Sequence, residues 1–313
     1  MSSSSFANSN RYLVFGGQTG WIGQKLVDLL REQNKEVFVA QSRLENIQDV
    51  QKELDTIKPT HVLNAAGLTG RPNVDWCEDH KDEVIRVNVI GTLGLLDSCE
   101  TRKIHCTNFA TGCIYTYDTA HPVGGKPFTE NDPPNYVGSF YSLTKGMVDK
   151  LAPNYSHCLT LRLRMPISDD LSHRNFITKI SGYAKIINVP NSVTILHDML
   201  PISVLMADRK LSGVFNFTNP GVMSHNEVLD LYRDYIDPNF WYENFTEEDQ
   251  NKILKAGRCN NHLDVTKLQD ALPDVTIPTV QESMVGVYTR MKENLQKAGQ
   301  WPPAPRKGPK PSN

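Results

Sequence analysis

The chain has 313 residues, of which 22% are charged and 39% hydrophobic, and its formal net charge at pH 7 is −2. This length is enough for one large domain or two closely joined ones with a substantial core. The near-neutral charge gives no general attraction to nucleic acid or to an anionic membrane, and no apolar run approaches the ~20 residues of a membrane span.

The two ends of the chain and its cysteines indicate the setting of the protein. Residues 1–10 lack the basic and apolar regions of a secretion signal, so we expect a disordered leader there. The Pro- and Lys-rich residues 301–313 predict a disordered tail. Six cysteines without a Cys-x-x-Cys pair indicate reduced thiols in a cytoplasmic protein. Their spacing does not suit a tetrahedral zinc site, and we expect no bound metal.

The first half of the chain alternates short apolar runs with longer amphipathic ones, which predicts strands alternating with helices. Strands are predicted at 12–15, 37–40, 61–64, 106–110 and 158–163, and helices at 21–33, 47–57, 83–99 and 140–151. This order favours an α/β fold, in which a doubly wound parallel sheet is covered by helices on both faces.

Beyond residue 165 the apolar pattern is less regular and predicts a smaller α/β domain at 165–300, after a first domain at 11–164. The predicted elements are helices at 175–187, 201–207, 228–236 and 279–295, a short strand at 193–196, and a strand near 213–218 that returns to the first sheet. Ser224-His-Asn-Glu227 is a capping-box pattern, which supports the start of a helix at that point.

A glycine-rich turn follows the first predicted strand and opens the first predicted helix, with the sequence Gly17-Gln18-Thr19-Gly20-Trp21-Ile22-Gly23. Glycines let the backbone turn tightly and approach a ligand closely, while the helix N-terminus attracts a pyrophosphate. In this strand–turn–helix context the motif predicts that the first domain is a Rossmann-type dinucleotide-binding domain. The alternative is a turn whose glycines serve packing alone.

The residues after the second predicted strand bear on the choice of dinucleotide. An NAD enzyme usually places a carboxylate there, whereas this chain has Ala40-Gln41-Ser42-Arg43-Leu44. Ser42 and Arg43 suit a 2′-phosphate, so we expect NADP(H), with the use of NADH left open. Arg43 could instead be a solvated surface charge. After the third strand, the small turn Asn64-Ala65-Ala66-Gly67 would let the adenosine side of the cofactor approach, or would simply pack tightly.

Three residues indicate the reduction of a carbonyl group. Tyr141 and Lys145 stand four apart on a predicted helix, so both point from one face. An adjacent ammonium lowers the pKa of a phenol, which lets the tyrosine protonate a carbonyl oxygen as hydride arrives. We expect Lys145 also to hold the nicotinamide ribose. Thr111, at the end of the fourth predicted strand, can donate a hydrogen bond to the same oxygen.

Taken in order, these motifs resemble the extended short-chain dehydrogenase/reductase family, and the resemblance runs from residue 11 to about residue 300. Many members carry Ser where this chain has Thr111, which keeps the hydroxyl. Within the family the chain is most similar to dTDP-4-dehydrorhamnose reductases and, more closely, to bifunctional 3,5-epimerase/4-reductases that make nucleotide-linked L-rhamnose. The similarity is carried by Thr69-Gly-Arg-Pro-Asn-Val-Asp-Trp-Cys-Glu78, Ala110-Thr-Gly-Cys-Ile114, Gly138-Ser-Phe-Tyr-Ser142, Arg164-Met-Pro-Ile167, Asn175-Phe-Ile-Thr-Lys179, Asn216-Phe-Thr-Asn-Pro-Gly221 and Ser224-His-Asn-Glu227.

The resemblance implies a second reaction beside reduction. A 4-keto group acidifies the hydrogens on C3 and C5, and epimerisation needs a base on one face of the sugar and an acid on the other. In the bifunctional enzymes a Cys and a Lys are assigned to this work, and they match Cys113 and Lys179. Which of the two removes the proton is left open. Without the resemblance, Cys113 would be interpreted as a core residue and Lys179 as a solvated helix charge.

Contacts to a nucleotide sugar are expected from both halves of the chain. One group follows the third strand, at the edge where ligands bind in such sheets. The second half offers a guanidinium for a diphosphate and amides for the sugar or base. The alternative is that these residues are structural clamps. The candidates are Arg71, Asn73, Trp76, Asn175, Arg258 and Asn261.

The leading hypothesis is an NADPH-dependent enzyme that epimerises and reduces a UDP- or dTDP-linked 4-keto-6-deoxyglucose to nucleotide-L-rhamnose. It requires a separate 4,6-dehydratase upstream, and the resemblance implies a homodimer. The charge and the apolar pattern lead us to expect no nucleic-acid or membrane partner. Two alternatives stay open. One is a reductase that accepts an already epimerised sugar, and the other is a non-catalytic NADP-binding subunit similar to the beta subunit of methionine adenosyltransferase.

Overall fold

The computed structural model describes residues 10–71 and 73–303, and the chain folds into two compact units. The first unit is built from the chain up to Thr111, Ser139–Arg162 and Leu200–Phe215. The second is built from Gly112–Gly138, Leu163–Met199 and the chain from Asn216 onward. The predicted disordered tails lie almost wholly outside the described residues.

Eight strands lie in the described part of the chain. They are β1 (Arg11–Phe15), β2 (Glu36–Val39), β3 (His61–Asn64), β4 (His105–Thr111), β5 (Cys158–Leu163), β6 (Lys185–Ile186), β7 (Gly213–Asn216) and β8 (Glu243–Asn244). Six of them form one sheet in the order β2-β1-β3-β4-β5-β7, in which β1 pairs in parallel with β2 and β3, and β3 pairs in parallel with β4. The chain crosses from β2 over β1 to β3, so the switch point of the sheet lies between β1 and β3. The predicted doubly wound parallel sheet is confirmed.

The helices of the described residues alternate with these strands in the first half of the chain. They are α1 (Trp21–Glu32), α2 (Ile47–Ile57), α3 (Lys81–Val84), α4 (Thr92–Thr101), α5 (Phe140–Leu151), α6 (Phe176–Ser181), α7 (Leu196–Asp208), α8 (His225–Tyr235), α9 (Glu247–Ile253), α10 (Thr266–Ala271) and α11 (Val280–Lys297). A π-helical segment, Ile85–Gly91, joins α3 to α4. None of the helices within 10–71 and 73–303 is both long and apolar enough to cross a bilayer.

The core of the first unit follows from the apolar spacing of its strands and helices. Leu13 of β1 and Val62 of β3 are fully buried and cluster with Leu54 of α2 and Leu95 of α4. Burying each such side chain contributes about 1.5–3 kcal/mol. The apolar residues whose spacing predicts the strands and helices are therefore the same residues that stabilise the sheet by packing in this core.

The second unit packs α8 against α11. Each helix opens with a capping box, formed by Ser224 with Glu227 and by Thr279 with Glu282. The buried Tyr288 hydroxyl donates to the carbonyl of Val228 at 2.6 Å, which links the two helices. The predicted helices at 228–236 and 279–295 are confirmed within a few residues at their ends.

Two predicted elements of the second unit are wrong. The helix predicted at 175–187 ends at Ser181, and Lys185–Ile186 forms strand β6, which pairs in parallel with β8. The strand predicted at 193–196 makes only a single bridge, between Ile195 and Ile167. In both places long-range pairing, which leaves no local trace in the sequence, decides the structure.

Residues 112–138, which the sequence places in the first domain, group with the second unit. Backbone hydrogen bonds explain this. The N–H of Gly112 donates to Leu163 at 2.7 Å, the N–H of Tyr117 donates to Asn260 at 2.8 Å, and the N–H of Phe128 donates to His262 at 2.8 Å. The assignment of a substrate-binding role to residues 165–300 stays a prediction.

A buried ion pair in the first unit ties α5 to β5. Arg162 donates from Nε to Asp149 Oδ1 at 2.9 Å and from Nη2 to Asp149 Oδ2 at 2.6 Å. The two side chains are 3% and 4% exposed. Removing one partner of such a pair leaves an uncompensated charge in a dry setting, which costs about 3–5 kcal/mol. The pair therefore sets the position of α5, the helix that carries Tyr141 and Lys145.

We expect Asp149→Ala to lower the free energy of unfolding by about 3–5 kcal/mol, because Arg162 would be left buried without its counter-charge. Guanidinium-induced unfolding followed by circular dichroism would measure the change. The matched control is Asp55→Ala, which removes the carboxylate of a surface pair with Arg102 and should change stability little. An equal loss in the two variants would contradict this account of the buried pair.

Candidate functional site

The turn between β1 and α1 requires glycine at defined positions. Gly16 has a φ of +82°, in the left-handed region, and a Cβ there would lie 2.9 Å from the backbone of Ala65. A Cβ on Gly23 would lie 2.2 Å from the carbonyl oxygen of Gly16. The N–H of Gly20 donates to that same oxygen at 3.0 Å. The turn is thus drawn tightly against the start of α1 and against the turn after β3.

This turn fits the pyrophosphate of a dinucleotide. α1 begins at Trp21, its N-cap is Gly20, and its first turn carries no acidic residue. The first N–H groups of a helix have no helical acceptor and, together with the helix dipole, favour an anion. Gln18 and Thr19 are exposed at the rim of the turn, while Gly17 is buried. The residues present therefore suit the predicted cofactor.

The loop after β2 contains a carboxylate that sequence reasoning missed. Glu53 of α2 accepts hydrogen bonds from the backbone N–H of Gln41 at 2.8 Å and of Ser42 at 3.0 Å, and it also accepts from the Ser42 hydroxyl. Arg43 is 71% exposed and pairs with Glu45 at 3.0 Å. The hydroxyl and the N–H of Ser42 are therefore both hydrogen-bonded to Glu53, while the Arg43 guanidinium extends into solvent beside the loop. No local signal marks Glu53, because it comes to the loop from the following helix.

Asn88, which the sequence analysis did not single out, holds the turn after β3. Its Oδ1 accepts from the N–H of Leu68 and its Nδ2 donates to the carbonyl of Leu68, both at 2.8 Å. It lies in the π-helical segment, a distortion that recurs at functional sites. A Cβ on Gly67 would lie 3.5 Å from Asn88 Oδ1 and 4.0 Å from Lys145 Nζ. The structure thus brings the predicted turn Asn64–Gly67 next to Lys145.

The reductase candidates all lie in the first unit. Tyr141 and Lys145 are buried one turn apart on α5, which begins after Ser139, whose Oγ caps the helix by accepting from the N–H of Ser142. Thr111 ends β4 and is half-buried. Burial lowers the pKa of the Lys145 ammonium to about 8, although the nearby Asp149 carboxylate opposes the shift. Lys145 can therefore change its charge close to neutral pH.

Two of the three substrate-binding candidates after β3 have local contacts of their own. Asn73 Oδ1 accepts from the N–H of Asp75 at 2.8 Å and caps a short 3-10 turn. Trp76 stacks on His80 with ring centroids 3.8 Å apart. Arg71 is exposed. Contact with a nucleotide sugar stays a prediction for all three.

In the second unit, Cys113 lies in a turn that is clamped by Asn261. The Nδ2 group of this fully buried asparagine donates to the carbonyl of Gly112 at 3.0 Å and to that of Tyr115 at 2.8 Å. Both amide hydrogens of Asn261 are used in this way. The geometry therefore favours the structural alternative for Asn261, while its Oδ1 has no partner among the described residues.

Cys113 differs from the other five cysteines, which are buried, in being partly exposed. The thiol of Cys259 lies within hydrogen-bonding reach of the Cys113 thiol, and the charge of the Arg164 guanidinium acts on both cysteines. Sequence reasoning pairs Cys113 with Lys179 and misses Cys259 and Arg164. The sequence contained one signal for Arg164, because it begins the family-matching segment Arg164–Ile167. That match alone does not assign a role to Arg164.

Lys179 lies on α6 in a setting that favours proton exchange. Burial lowers the pKa of its ammonium, and the positive charges of Arg174 and Arg258 lower it further. A lysine in such a setting can give or take a proton nearer neutral pH than a solvated one. Arg258 donates from Nη1 to the carbonyl of Ala256 at 2.6 Å. Its predicted contact with a diphosphate stays a prediction.

Asn175 caps α6 and is fully buried. Its Oδ1 accepts from the N–H of Ile177 at 3.2 Å, and its Nδ2 donates to the carbonyls of Ser168 and Asp170, each at 2.7 Å. With both amide hydrogens used, the geometry favours a structural role for Asn175 over the predicted contact with substrate. Its effect is to hold the helix that carries Lys179.

Comparison with known proteins relates the whole described arrangement to one group of enzymes. A model of the NAD dependent epimerase/dehydratase family matches residues 12–180. A bifunctional dTDP-4-dehydrorhamnose 3,5-epimerase/dTDP-4-dehydrorhamnose reductase of Arabidopsis thaliana is 52% identical over 283 residues, which cover 90% of this chain and 93% of that protein. Both units of the chain therefore have counterparts in that relative.

Two further relatives extend the comparison. The crystal structure of the L780 UDP-rhamnose synthase from Acanthamoeba polyphaga mimivirus superimposes with a TM-score of 0.84 at 41% identity, covering 90% of this chain and 99% of that chain. A trifunctional UDP-glucose 4,6-dehydratase/UDP-4-keto-6-deoxy-D-glucose 3,5-epimerase/UDP-4-keto-L-rhamnose-reductase of Arabidopsis thaliana is 51% identical over 279 residues. The match covers 88% of this chain and 41% of that longer protein.

We expect the stability of the wild type, relative to Lys145→Met, to rise by about 3 kcal/mol between pH 7 and pH 11. The folded pKa of Lys145 is about 8, below the usual value of a lysine, so between these values only the unfolded chain binds the proton. Proton binding by the unfolded chain favours unfolding, and this contribution to the free energy of unfolding disappears as the rising pH deprotonates the unfolded chain as well. Unfolding free energies of both proteins across this range would measure the effect. Lys150→Met, at an exposed position of the same helix, is the control, and a difference for Lys145→Met that stays flat across this pH range would refute the assignment.

Proposed function

Because this chain belongs to the NAD dependent epimerase/dehydratase family, we propose that it catalyses both the 3,5-epimerisation and the 4-keto reduction of UDP- or dTDP-linked 4-keto-6-deoxy-D-glucose. The product is nucleotide-L-rhamnose. The observation that carries the proposal is the match, at 52% identity and over 93% of its length, to a relative named for both activities. The chain also has candidate residues for each reaction, namely Thr111, Tyr141 and Lys145 for reduction and Cys113 and Lys179 for epimerisation.

In the reduction, the bound dinucleotide supplies the hydride. Tyr141 donates its phenolic proton to the 4-keto oxygen, and Thr111 donates a hydrogen bond to the same oxygen. Lys145 holds the cofactor ribose and, when charged, lowers the pKa of the phenol. The support for these roles is that Tyr141 and Lys145 lie one turn apart on a helix whose position is set by the buried Asp149–Arg162 pair.

In the epimerisation, one group removes a proton from C3 or C5 and another returns a proton to the opposite face. Cys113 and Lys179 fill these roles in the proposal. Lys179 is suited to proton exchange because burial and two neighbouring guanidinium groups lower its pKa. Cys113 is suited to reach a substrate because it is the partly exposed member of the six cysteines.

The bifunctional assignment is favoured over the two alternatives. A reductase of epimerised sugar would not need Cys113, and the relatives that match at 41–52% identity are named as bifunctional, trifunctional or rhamnose synthases. A non-catalytic subunit would not need Tyr141 with Lys145. As the source of the 4-keto substrate we propose a separate 4,6-dehydratase, because the proposed reactions start from a sugar that such an enzyme makes. A homodimer and a cytoplasmic location stay predictions.

For the cofactor we propose NADP(H) as the preferred form. The support is Arg43, whose exposed guanidinium follows β2 and carries the charge that a 2′-phosphate requires. Glu53 opposes this preference, because its carboxylate lies at Gln41 and Ser42 and would repel a phosphate. Use of NADH is therefore expected as a secondary activity.

We expect Tyr141→Phe to abolish 4-keto reduction, by about 10²-fold or more, and to leave solvent deuterium exchange at C3 and C5 intact, because the phenol serves the reduction alone. Cys113→Ser should lose the exchange and still reduce a pre-epimerised substrate. Mass spectrometry of the sugar in D₂O and NADPH oxidation measure the two activities. Tyr155→Phe, at a partly buried tyrosine packed on the first core, is the matched control and should keep both.

The same assay separates the candidate functions. Supplied with only the 4-keto-6-deoxyglucose nucleotide and NADPH, the purified protein should form nucleotide-rhamnose. Failure to do so, with turnover of pre-epimerised substrate, would leave the reductase alternative. Loss of both activities in both folded variants would show that the division of roles is wrong.

We expect Arg43→Ala to raise the KM for NADPH by about fivefold or more and to leave the KM for NADH nearly unchanged, because only the 2′-phosphate needs the guanidinium. Initial-rate kinetics with each dinucleotide would measure this. Arg31→Ala, at an exposed arginine of α1, is the control and should change neither value. No change in either KM would assign Arg43 to the solvated surface, and an equal rise in both would refute a contact with the 2′-phosphate.

A further inference from the structure

Arg164 is a buried guanidinium whose position is fixed by its backbone. The residue is 6% exposed and follows β5 directly. Its N–H donates to Thr194 Oγ1 at 3.0 Å, and its carbonyl accepts from the N–H of Thr194 at 2.7 Å. The N–H of Gly112 donates to Leu163 at 2.7 Å. The chain at Cys113 is therefore held beside the chain at Arg164 within the same unit.

The hydrogen bonds of Arg164 go to neutral acceptors. Its Nη2 donates to Asn191 Oδ1 at 2.6 Å and to the carbonyl of Cys259, while its buried Nε has no partner among the described residues. Within residues 10–71 and 73–303, no carboxylate lies at ion-pair distance from this guanidinium. A buried charge of this kind is costly unless an anion compensates it.

The titratable groups that face this charge leave one candidate anion. Burial, and then Arg164, lower the pKa of His225 to about 4, so that ring is neutral. Burial raises the pKa of Tyr117 to about 12 and raises that of Tyr136 as well, so both phenols keep their protons. Arg258, which acts on Tyr136, is itself a cation. The remaining groups that could supply the compensating anion are the thiols of Cys113 and Cys259.

The two thiols of the pair have different surroundings. Cys259 is 3% exposed, and burial, together with its hydrogen bond to Cys113, raises its pKa well above the usual range of a thiol. Cys259 therefore keeps its proton and can donate it in a hydrogen bond. Cys113 is partly exposed and receives that hydrogen bond. Of the two sulfurs, only Cys113 is placed to carry the negative charge.

We propose that Arg164 is a positioning residue which, together with the S–H group of Cys259, holds Cys113 in its thiolate form. The proposal rests on the proposed function in taking Cys113 as the epimerisation thiol. It adds that the compensating cation is Arg164, which does not itself touch the substrate in this scheme. A thiolate can accept a proton from carbon at once, whereas a thiol must first lose its own.

The test is the rate at which Cys113 of the substrate-free protein reacts with iodoacetamide, followed from about pH 5 to pH 10 by peptide mass mapping. In the wild type the apparent pKa for alkylation of Cys113 should lie at least one unit below the ~8.5 of a free thiol. Arg164→Met should slow alkylation at pH 6.5 about tenfold or more, because an adjacent opposite charge shifts a pKa by ~1–3 units. Arg164→Lys should restore much of the rate, since it returns the charge. Cys259→Ala should slow alkylation in the same direction, because it removes the donated hydrogen bond.

A wild-type apparent pKa at or above ~8.5 would overturn the proposal and needs no variant to fold. An unchanged profile in folded Arg164→Met would also overturn it. Reduction of a pre-epimerised sugar checks that the variants remain folded, and Lys185→Met, at an exposed lysine of β6, is the control that should alter neither readout. Because alkylation is measured without substrate, the expected profile combined with no rhamnose product would count against the proposed function alone.

Discussion

The buried ion pair between Asp149 and Arg162 is the constraint on which the first unit of the molecule depends. It is bidentate, nearly inaccessible to solvent, and joins the helix of Tyr141 and Lys145 to the central sheet. Asp149 stands one turn beyond Lys145 and opposes the loss of its charge, while Arg162 occupies both carboxylate oxygens. The ion pair thus helps to position Lys145, while burial lowers the pKa of its ammonium and the Asp149 carboxylate opposes that shift. A purely apolar contact would fix the helix and leave the ammonium without this balance.

In the second unit, a network of neutral and charged hydrogen-bonding groups, rather than an ion pair, supports the turn that contains Cys113. Asn191, Asn261 and Arg164 form a connected buried network, in which Asn191 Oδ1 accepts from Arg164 at 2.6 Å and from the N–H of Asn261 at 3.1 Å. The hydrogen bonds of this network lead to the turn that contains Cys113. Beside it lies a small apolar cluster of four residues, namely Ile114, Tyr115, Phe128 and Leu263. Polar networks of this kind add less stability than packed apolar groups, but they specify one arrangement closely.

The sequence predicted most of the first unit, because its strands and helices are defined by local apolar spacing and its glycine turn by local sterics. It also predicted α8, whose capping-box residues Ser224 and Glu227 are three residues apart, and the final helix α11. Prediction from the sequence failed where the structure depends on contacts between residues that are far apart along the chain. The short strand β6 exists through β8, Glu53 reaches the β2 loop from the next helix, and Arg164 meets Cys259 across 95 residues. Asn175 and Asn261 were assigned to substrate because a sequence shows that an amide is present but not whether its hydrogens are already used.

The interleaving of the two units along the chain has a consequence for synthesis on the ribosome. The first unit needs β7, which arrives about a hundred residues after β4, and the turn at Cys113 waits for Asn261, which follows Tyr115 by 146 residues. Closing such long loops is entropically unfavourable and slow. The first unit can therefore be completed only after the chain has emerged as far as Phe215, and the second unit only after the chain from Asn216 onward has followed. A nascent chain that ends near residue 200 has an unfinished sheet edge, the state in which aggregation or capture by a chaperone is most favoured.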